Sequence, residues 1–206
     1  MKRQTDSPRA LRKQAQLIAA AAEILDEEGI AGLSVRAIAD RAKTSTIGVY
    51  SHFGGKKGVL NALYISGFEQ LGASVEDVRR ENTGASHERI LLAIDAYLEF
   101  EARKPRLYAL MFDAQGDRFQ PDPEATRAAR AAFVKLVAVF LAARPDWSRV
   151  HAARIAFESW ALVHGLVMLR THQTLKQSPA AWQRTVRSAA RNYLFGAMND
   201  RINRPK

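Results

Sequence analysis

The sequence predicts an all-α fold of about nine helices, with a short three-helix headpiece followed by a larger helical region. Three observations support this. No segment alternates apolar and polar residues for long enough to make a strand. Apolar residues recur instead at intervals of three and four. Ser7-Pro8, Asp122-Pro123 and Ser178-Pro179 each set a capping side chain before a proline suited to the first helical position.

The first helix is expected over residues 8–28, with Leu11, Ala15, Ile18, Ala22 and Leu25 as its apolar stripe. Gly29 suits a left-handed cap, with Ile30 folding back on the helix. Ser34 reads as the N-cap of a second helix reaching about Ala42, and a third runs from near Ser45 to near His52. A fourth follows Gly54-Gly55 and continues to about Arg80, with Leu60, Tyr64, Phe68 and Leu71 inward. Five more are expected over 87–103, 105–114, 123–143, 148–171 and 179–198. Lys104-Pro105 and Arg144-Pro145 break or restart the chain between them. Residues 113–122 form the longest loop, and no internal repeat is visible. Composition shifts at the fourth helix, from short charged helices to longer, more aromatic ones. This places a functional boundary near Gly54 and divides the chain into 1–54 and 55–206.

Of the 206 residues, 47% are hydrophobic, enough for a core and too many for a disordered chain. There is no cysteine, hence no disulfide framework and no thiolate metal site, which suits a reducing cytoplasm. No apolar run approaches the ~20 residues that span a bilayer, and residues 1–12 lack the apolar stretch of a secretory signal. No membrane partner is therefore expected. The formal charge of +10 is uneven: +4 over 1–60, −1 over 61–169 and +7 over 170–206. Such an excess favours polyanions.

Residues 34–56 are the most informative stretch. Two short helical patterns flank a tight polar turn, and Tyr-Ser-His-Phe and a lysine follow at once. A helix that enters a major groove reads base edges with short polar side chains, and Thr44, Ser45 and Thr46 open the third helix. Arg36 can reach a guanine edge or a phosphate. Tyr50 and His52 can donate to phosphate oxygens, and Lys56 stands where a helix N-terminus already favours an anion. Arg9, Arg12 and Lys13 can add backbone contacts. Taken singly, each has an ordinary alternative as a cap, a core tyrosine or a solvated charge.

The order R-A-I-A-D-R-A at 36–42, Ser45, V-Y-S-H-F at 49–53, Lys56 and Leu60 resembles the DNA-binding domain of the TetR (tetracycline repressor) family of bacterial transcription regulators. The likeness is detailed over roughly 9–62 and extends in helix count over the whole chain. It implies that Tyr50, His52 and Lys56 clamp phosphates and that Arg36, Thr44, Ser45 and Thr46 face bases. It also implies a double-stranded operator and a homodimer through the eighth and ninth helices. A weaker likeness, W-A-L-V-H-G at 160–165, is to the C-terminal domain of one branch of that family. Two positions depart from the pattern. Lys43 replaces a turn glycine that needs a left-handed backbone, so either it costs on the order of 1 kcal/mol or the turn differs. Gly48 replaces a common Thr or Ser and removes one phosphate contact, at about 1 kcal/mol in a helix interior.

The resemblance further implies an effector pocket in the larger region. Its candidate lining is Phe68, Tyr97, Tyr108, Met111, Phe133, Phe157 and Trp160, with His164 as the polar group, although aromatics at helical spacing also make ordinary core. A near-neutral middle segment without carboxylates in its apolar stripes points to an uncharged or weakly anionic apolar effector. Small residues among large ones in the last two helices, among them Ala152, Ala156, Ala161, Gly165, Ala189 and Gly196, suit close helix packing. Arg184, Arg187 and Arg191 are expected on the outer face of the last helix. The competing class is an all-helical small-molecule binding protein or enzyme. The sequence shows no metal-ligand cluster, no glycine-rich phosphate loop and no nucleophile–base spacing for it, and the histidines at 52, 87, 151, 164 and 172 are scattered. No cofactor is expected. A non-specific nucleic-acid binder driven by charge is a third reading.

Overall fold

The computed structural model describes residues 7–81, 87–112, 119–171 and 178–199. His172, and residues 113–118 of the long loop, lie outside them. The described residues form nine helices and no strand: α1 (Pro8–Gly32), α2 (Val35–Arg41), α3 (Thr46–Phe53), α4 (Lys56–Glu81), α5 (His87–Arg103), α6 (Pro105–Phe112), α7 (Pro123–Ala143), α8 (Arg149–Thr171) and α9 (Pro179–Asn199).

The caps act as their chemistry requires. Ser7, Ser34 and Ser45 each accept the backbone N–H three residues on. Asp122 Oδ1 accepts from Glu124 N and Ala125 N at 2.9 and 2.8 Å, and Ser178 accepts from Ala181 N at 3.3 Å. Each such cap contributes about 1 kcal/mol. At Gly29 the expectation needs correction. Its φ of 73° is positive, but ψ is −169°, so the chain does not cap there and α1 resumes for one turn beyond the kink.

The helices group into two compact units, one of residues 1–70 and 101–130 and one of residues 71–100 and 131–206. In the first, α1 packs on both α2 and α6. Arg106 of α6 donates to the Leu25 carbonyl at 3.4 Å. This double duty corrects the predicted stripe. Leu17, Ala20, Ala21, Ile24 and Leu25 are buried, whereas Leu11 is 53% exposed and Ala15 lies in solvent. The alanine run 19–22 lets either face bury, and the neighbours decide. The same unit holds a ring cluster: Phe68 meets Tyr64 and Phe112 at 4.8 and 5.3 Å, and Tyr108 meets Phe112 at 4.7 Å. Asn61, almost wholly buried, accepts the N–H of Asp122 at 3.0 Å and so ties α4 to the start of α7.

In the second unit α8 packs on α9. Trp182, Val186, Ala190 and Leu194 form an inward stripe at intervals of four on α9, and Ala152, Ile155, Ala156, Ser159, Val163 and Val167 are the buried residues of α8. Arg187 departs from the expected outer face: it pairs with Asp95 and with Glu88 (2.7 Å) of α5, while Arg184 and Arg191 are exposed. Asp95 is thus a carboxylate within this packed region, against expectation. Burial raises its pKa, and the Arg187 charge opposes that rise. Glu158 accepts from Arg154 and from the Tyr193 hydroxyl, whose pKa rises through burial and then through that carboxylate.

One further correction concerns α8. Over Arg149–Arg170 it is long and apolar enough, by length and composition, to cross a membrane, and only 33% of that window is buried. Arg154 and Glu158 interrupt the apolar run, which is why no uninterrupted stretch stands out in the sequence. Its outward face carries Val150, Phe157, Ala161, Gly165 and Leu169 together with the part-exposed Arg154–Glu158 pair, so apolar residues lie on both sides of the helix and one ion pair sits among the outer ones.

Candidate nucleic-acid interface

The turn between α2 and α3 is built by backbone hydrogen bonds. Thr44 N donates to Ala39 O at 2.9 Å and Lys43 N to Asp40 O at 3.2 Å. These are the paired 6→1 and 5→2 bonds of a Schellman motif, which requires a left-handed residue just past the helix end. That residue is Lys43, at φ 49°. The turn keeps its usual form and the lysine bears the strain. Gln16 of α1 donates to Ala42 O at 2.9 Å, and Arg41 pairs with Glu27 and Glu23 at 2.7 and 3.3 Å, anchoring the turn to α1.

The α3–α4 elbow is equally constrained. Gly54 takes a left-handed conformation, φ 68°, and its N–H caps Tyr50 O at 2.8 Å. A Cβ at Gly58 would stand 1.7 Å from the Phe53 carbonyl oxygen, so only glycine lets the first turn of α4 lie against the end of α3. Gly55 has a φ of 122°, and a Cβ there would meet the Tyr50 ring edge at 3.4 Å.

On this frame the predicted residues divide. Arg36 is exposed, 3.9 Å from Asp40 on its own helix. Thr46 and Ser45 are exposed and Thr44 is half-buried. The Ser45 hydroxyl accepts from Gly48 N at 3.3 Å, so its lone pair serves the cap. Tyr50 is 57% exposed, whereas His52 is half-buried with its ring beside Phe53. Lys56 is exposed and its Nζ donates to the Ile30 carbonyl at 3.2 Å, just past the kink in α1. Thr46, Tyr50 and Lys56 therefore present polar groups to solvent. Ser45 is committed to local structure, and Thr44 and His52 are partly covered. Ile47, 77% exposed on the first turn of α3, is not among the residues that the sequence singles out. An apolar residue there reads as core, and only burial reveals that it faces out.

The candidate effector residues fall into both units. Phe68, Tyr108 and Met111, all buried, belong to the ring cluster of the first unit; a Cβ at Gly67 would lie 2.5 Å from Met111 Sδ, so α4 and α6 approach closely there. Tyr97, Phe133, Phe157, Trp160 and His164 belong to the second. The Tyr97 hydroxyl and His164 Nδ1 are 3.0 Å apart, and Trp160 lies 6.0 Å from the His164 ring. Burial lowers the His164 pKa, keeping the imidazole neutral at neutral pH. Phe133 meets Phe157 and Trp160 at 6.4 and 6.2 Å, but Phe157 is 56% exposed and opens to the outer face of α8.

The family profile described as bacterial regulatory proteins, tetR family, matches residues 17–63, and that described as tetracyclin repressor-like, C-terminal domain, matches residues 90–193. An uncharacterized HTH-type transcriptional regulator of Bacillus subtilis (strain 168), YobS, is 30% identical over 102 residues. The match spans 50% of this chain and about half (52%) of that protein. Among solved structures, a protein of unknown function from Rhodococcus sp. RHA1 is similar at TM-score 0.73 and 26% identity, over 89% of this chain and 94% of that one. A TetR-family transcriptional regulator from Streptomyces coelicolor shares the fold at TM-score 0.65 and 21% identity, over 90% and 99%.

Proposed function

The chain belongs to the TetR family of bacterial transcriptional regulators, and on that premise we propose that it is a ligand-responsive homodimeric repressor of a pseudo-palindromic operator. The observation that carries the proposal is the headpiece face. A short helix, fixed at one end by the Schellman turn and at the other by the Gly54–Gly58 elbow, turns Thr46 and Tyr50 to solvent beside Lys56. A major groove admits one such helix. Tyr50 and Lys56 grip phosphates and set register, Thr46 reads a base edge, and Arg36 reaches a neighbouring phosphate or guanine. His52 and Thr44, partly covered, support this face; Ser45 holds the helix start.

Two-fold symmetry places the recognition helices in successive major grooves about 34 Å apart. The dimer forms through α8 and α9. What favours this is the set of exposed apolar residues on α8, Val150, Phe157 and Leu169, with Phe195, 72% exposed, on α9. A second copy of the chain is also the economical cover for exposed apolar side chains on a helix that already buries its inner face. The effector is a small apolar molecule, uncharged or weakly anionic, recognised near Tyr97, Trp160 and His164. The neutral imidazole suits a hydrogen bond rather than an ion pair. α4 contributes residues to both compact units, and through it effector binding biases the headpiece. The effector must bind the two states with different affinity to do so.

Selection of bound duplexes from random DNA tests the reading. A palindromic consensus is expected. Lys56→Ala should weaken binding to all duplexes alike and reduce the salt slope by about 1, whereas Thr46→Ala should relax one base preference. Binding that falls with salt and shows no preferred sequence would leave only charge-driven association.

A further inference from the structure

We infer that Ile47 is a base-reading residue that recognises the 5-methyl group of a thymine in each operator half-site; the inference rests on the DNA-binding reading above. Successive residues of an α-helix turn by about 100°. Val49 marks the inward direction of α3, since it is wholly buried. Ile47 then points about 160° away from it, Tyr50 about 100° and Thr46 about 60°. Ile47 therefore stands at the centre of the outward face, and it is 77% exposed, more than Tyr50 at 57%.

A single exposed aliphatic residue is ordinary on a protein surface. This one occupies the position on the recognition helix that penetrates deepest when the helix enters a groove. Its neighbours sharpen the effect. Gly48 has no side chain, and a Cβ there would lie 3.2 Å from Thr44 Oγ1, so the strip beside Ile47 is bare backbone. Two nearby hydroxyls, though exposed, bond to the helix's own backbone: Ser45 Oγ accepts from Gly48 N, and Ser51 Oγ donates to Gly48 O at 2.9 Å. A branched aliphatic side chain cannot satisfy a donor or an acceptor. The apolar group that base edges offer in the major groove is the thymine methyl. Placed against a guanine or cytosine edge, Ile47 would leave polar groups without water or partner.

The test uses the full chain and its selected operator, with each thymine replaced in turn by uracil, which lacks only the methyl group. At one position in each half-site, uracil should weaken binding by about fourfold, the worth of one buried methyl, and by about fifteenfold when both half-sites carry it. Ile47→Ala should bind the thymine and uracil duplexes equally. The substitution removes only solvent-facing atoms, so its thermal unfolding should match that of the unsubstituted chain. Sequence-specific binding that ignores uracil at every position, or a uracil penalty undiminished in Ile47→Ala, overturns the methyl contact and leaves the operator reading standing. If no duplex is selected above random DNA, the operator reading falls and the contact falls with it.

Discussion

At the scale of single residues, Lys43 carries the clearest cost. A side chain in the left-handed region crowds the following carbonyl, at about 1–2 kcal/mol, and Lys43 sits there at φ 49° because the two bonds of the turn demand it. Lys43→Gly should therefore stabilise the chain by about 1 kcal/mol, raising the melting temperature by about 3 °C. Equal or lower stability by calorimetry would show that the lysine finds compensation in the turn. The family resemblance pointed to this position, since its turn glycine falls at Lys43, but left open whether the turn differs; the two backbone bonds and the positive φ show that the turn is kept. Ile47 was not legible. Whether an isoleucine in a short helix faces in or out depends on where its neighbours in space lie, and α3 has one wholly buried residue, Val49, to orient it. Ser45 shows the converse. A hydroxyl at a helix start suits both base reading and capping, and the 3.3 Å bond to Gly48 N shows it capping.

At the scale of helices, starts were readable and faces were not. Proline after a capping residue placed the starts of α1, α7 and α9 at residues 8, 123 and 179, because the cap bonds only to the next three residues. The inward face of α1 was misread, since its alanines fit either side and α2 and α6 on two sides of it decide. The end of α4 gives a testable local device. Glu76 pairs with Arg79 at 2.6 Å and Arg80 at 3.2 Å, and both cations sit favourably in the last turn. The hydrogen bond from Arg79, aided by both charges against a partial desolvation, holds the Glu76 pKa down to about 2 from its ordinary 4.5. A depressed carboxylate favours the folded state above its unfolded pKa and loses that contribution as pH falls through the folded one. Glu76→Gln should cost about 0.5 kcal/mol at neutral pH, the usual worth of such helix pairs. The gap should close between about pH 4.5 and 2. A gap that stays constant through that window in denaturant titrations would mean the pair does not contribute.

At the scale of the whole molecule, the outer side of α8 is the question that a single chain leaves open. Val150, Phe157 and Leu169 are 82%, 56% and 46% exposed along one face, with Ala161, Gly165 and the Arg154–Glu158 pair between them and open space around Gly165. Sequence periodicity could not separate this face from the inward one, because large apolar residues lie on both and only contacts within the chain mark one of them as core. A symmetric dimer repeats the same patch on both subunits. A carboxylate at its centre would then be buried twice, which is costly, whereas in an isolated subunit it would stay in water. Phe157→Glu should accordingly yield a folded monomer in sedimentation analysis at micromolar concentration. Its operator affinity should fall by about 10²–10⁴, since each monomer engages one half-site without the second being held nearby. The same residue also stands next to Trp160, at 6.0 Å between ring centroids, so the two roles predicted for it part company in one experiment. A dimer that persists in the Phe157→Glu variant while effector response is lost would place Phe157 at the ligand site and move the subunit contact elsewhere. A monomer that no longer binds operator would place it at the seam.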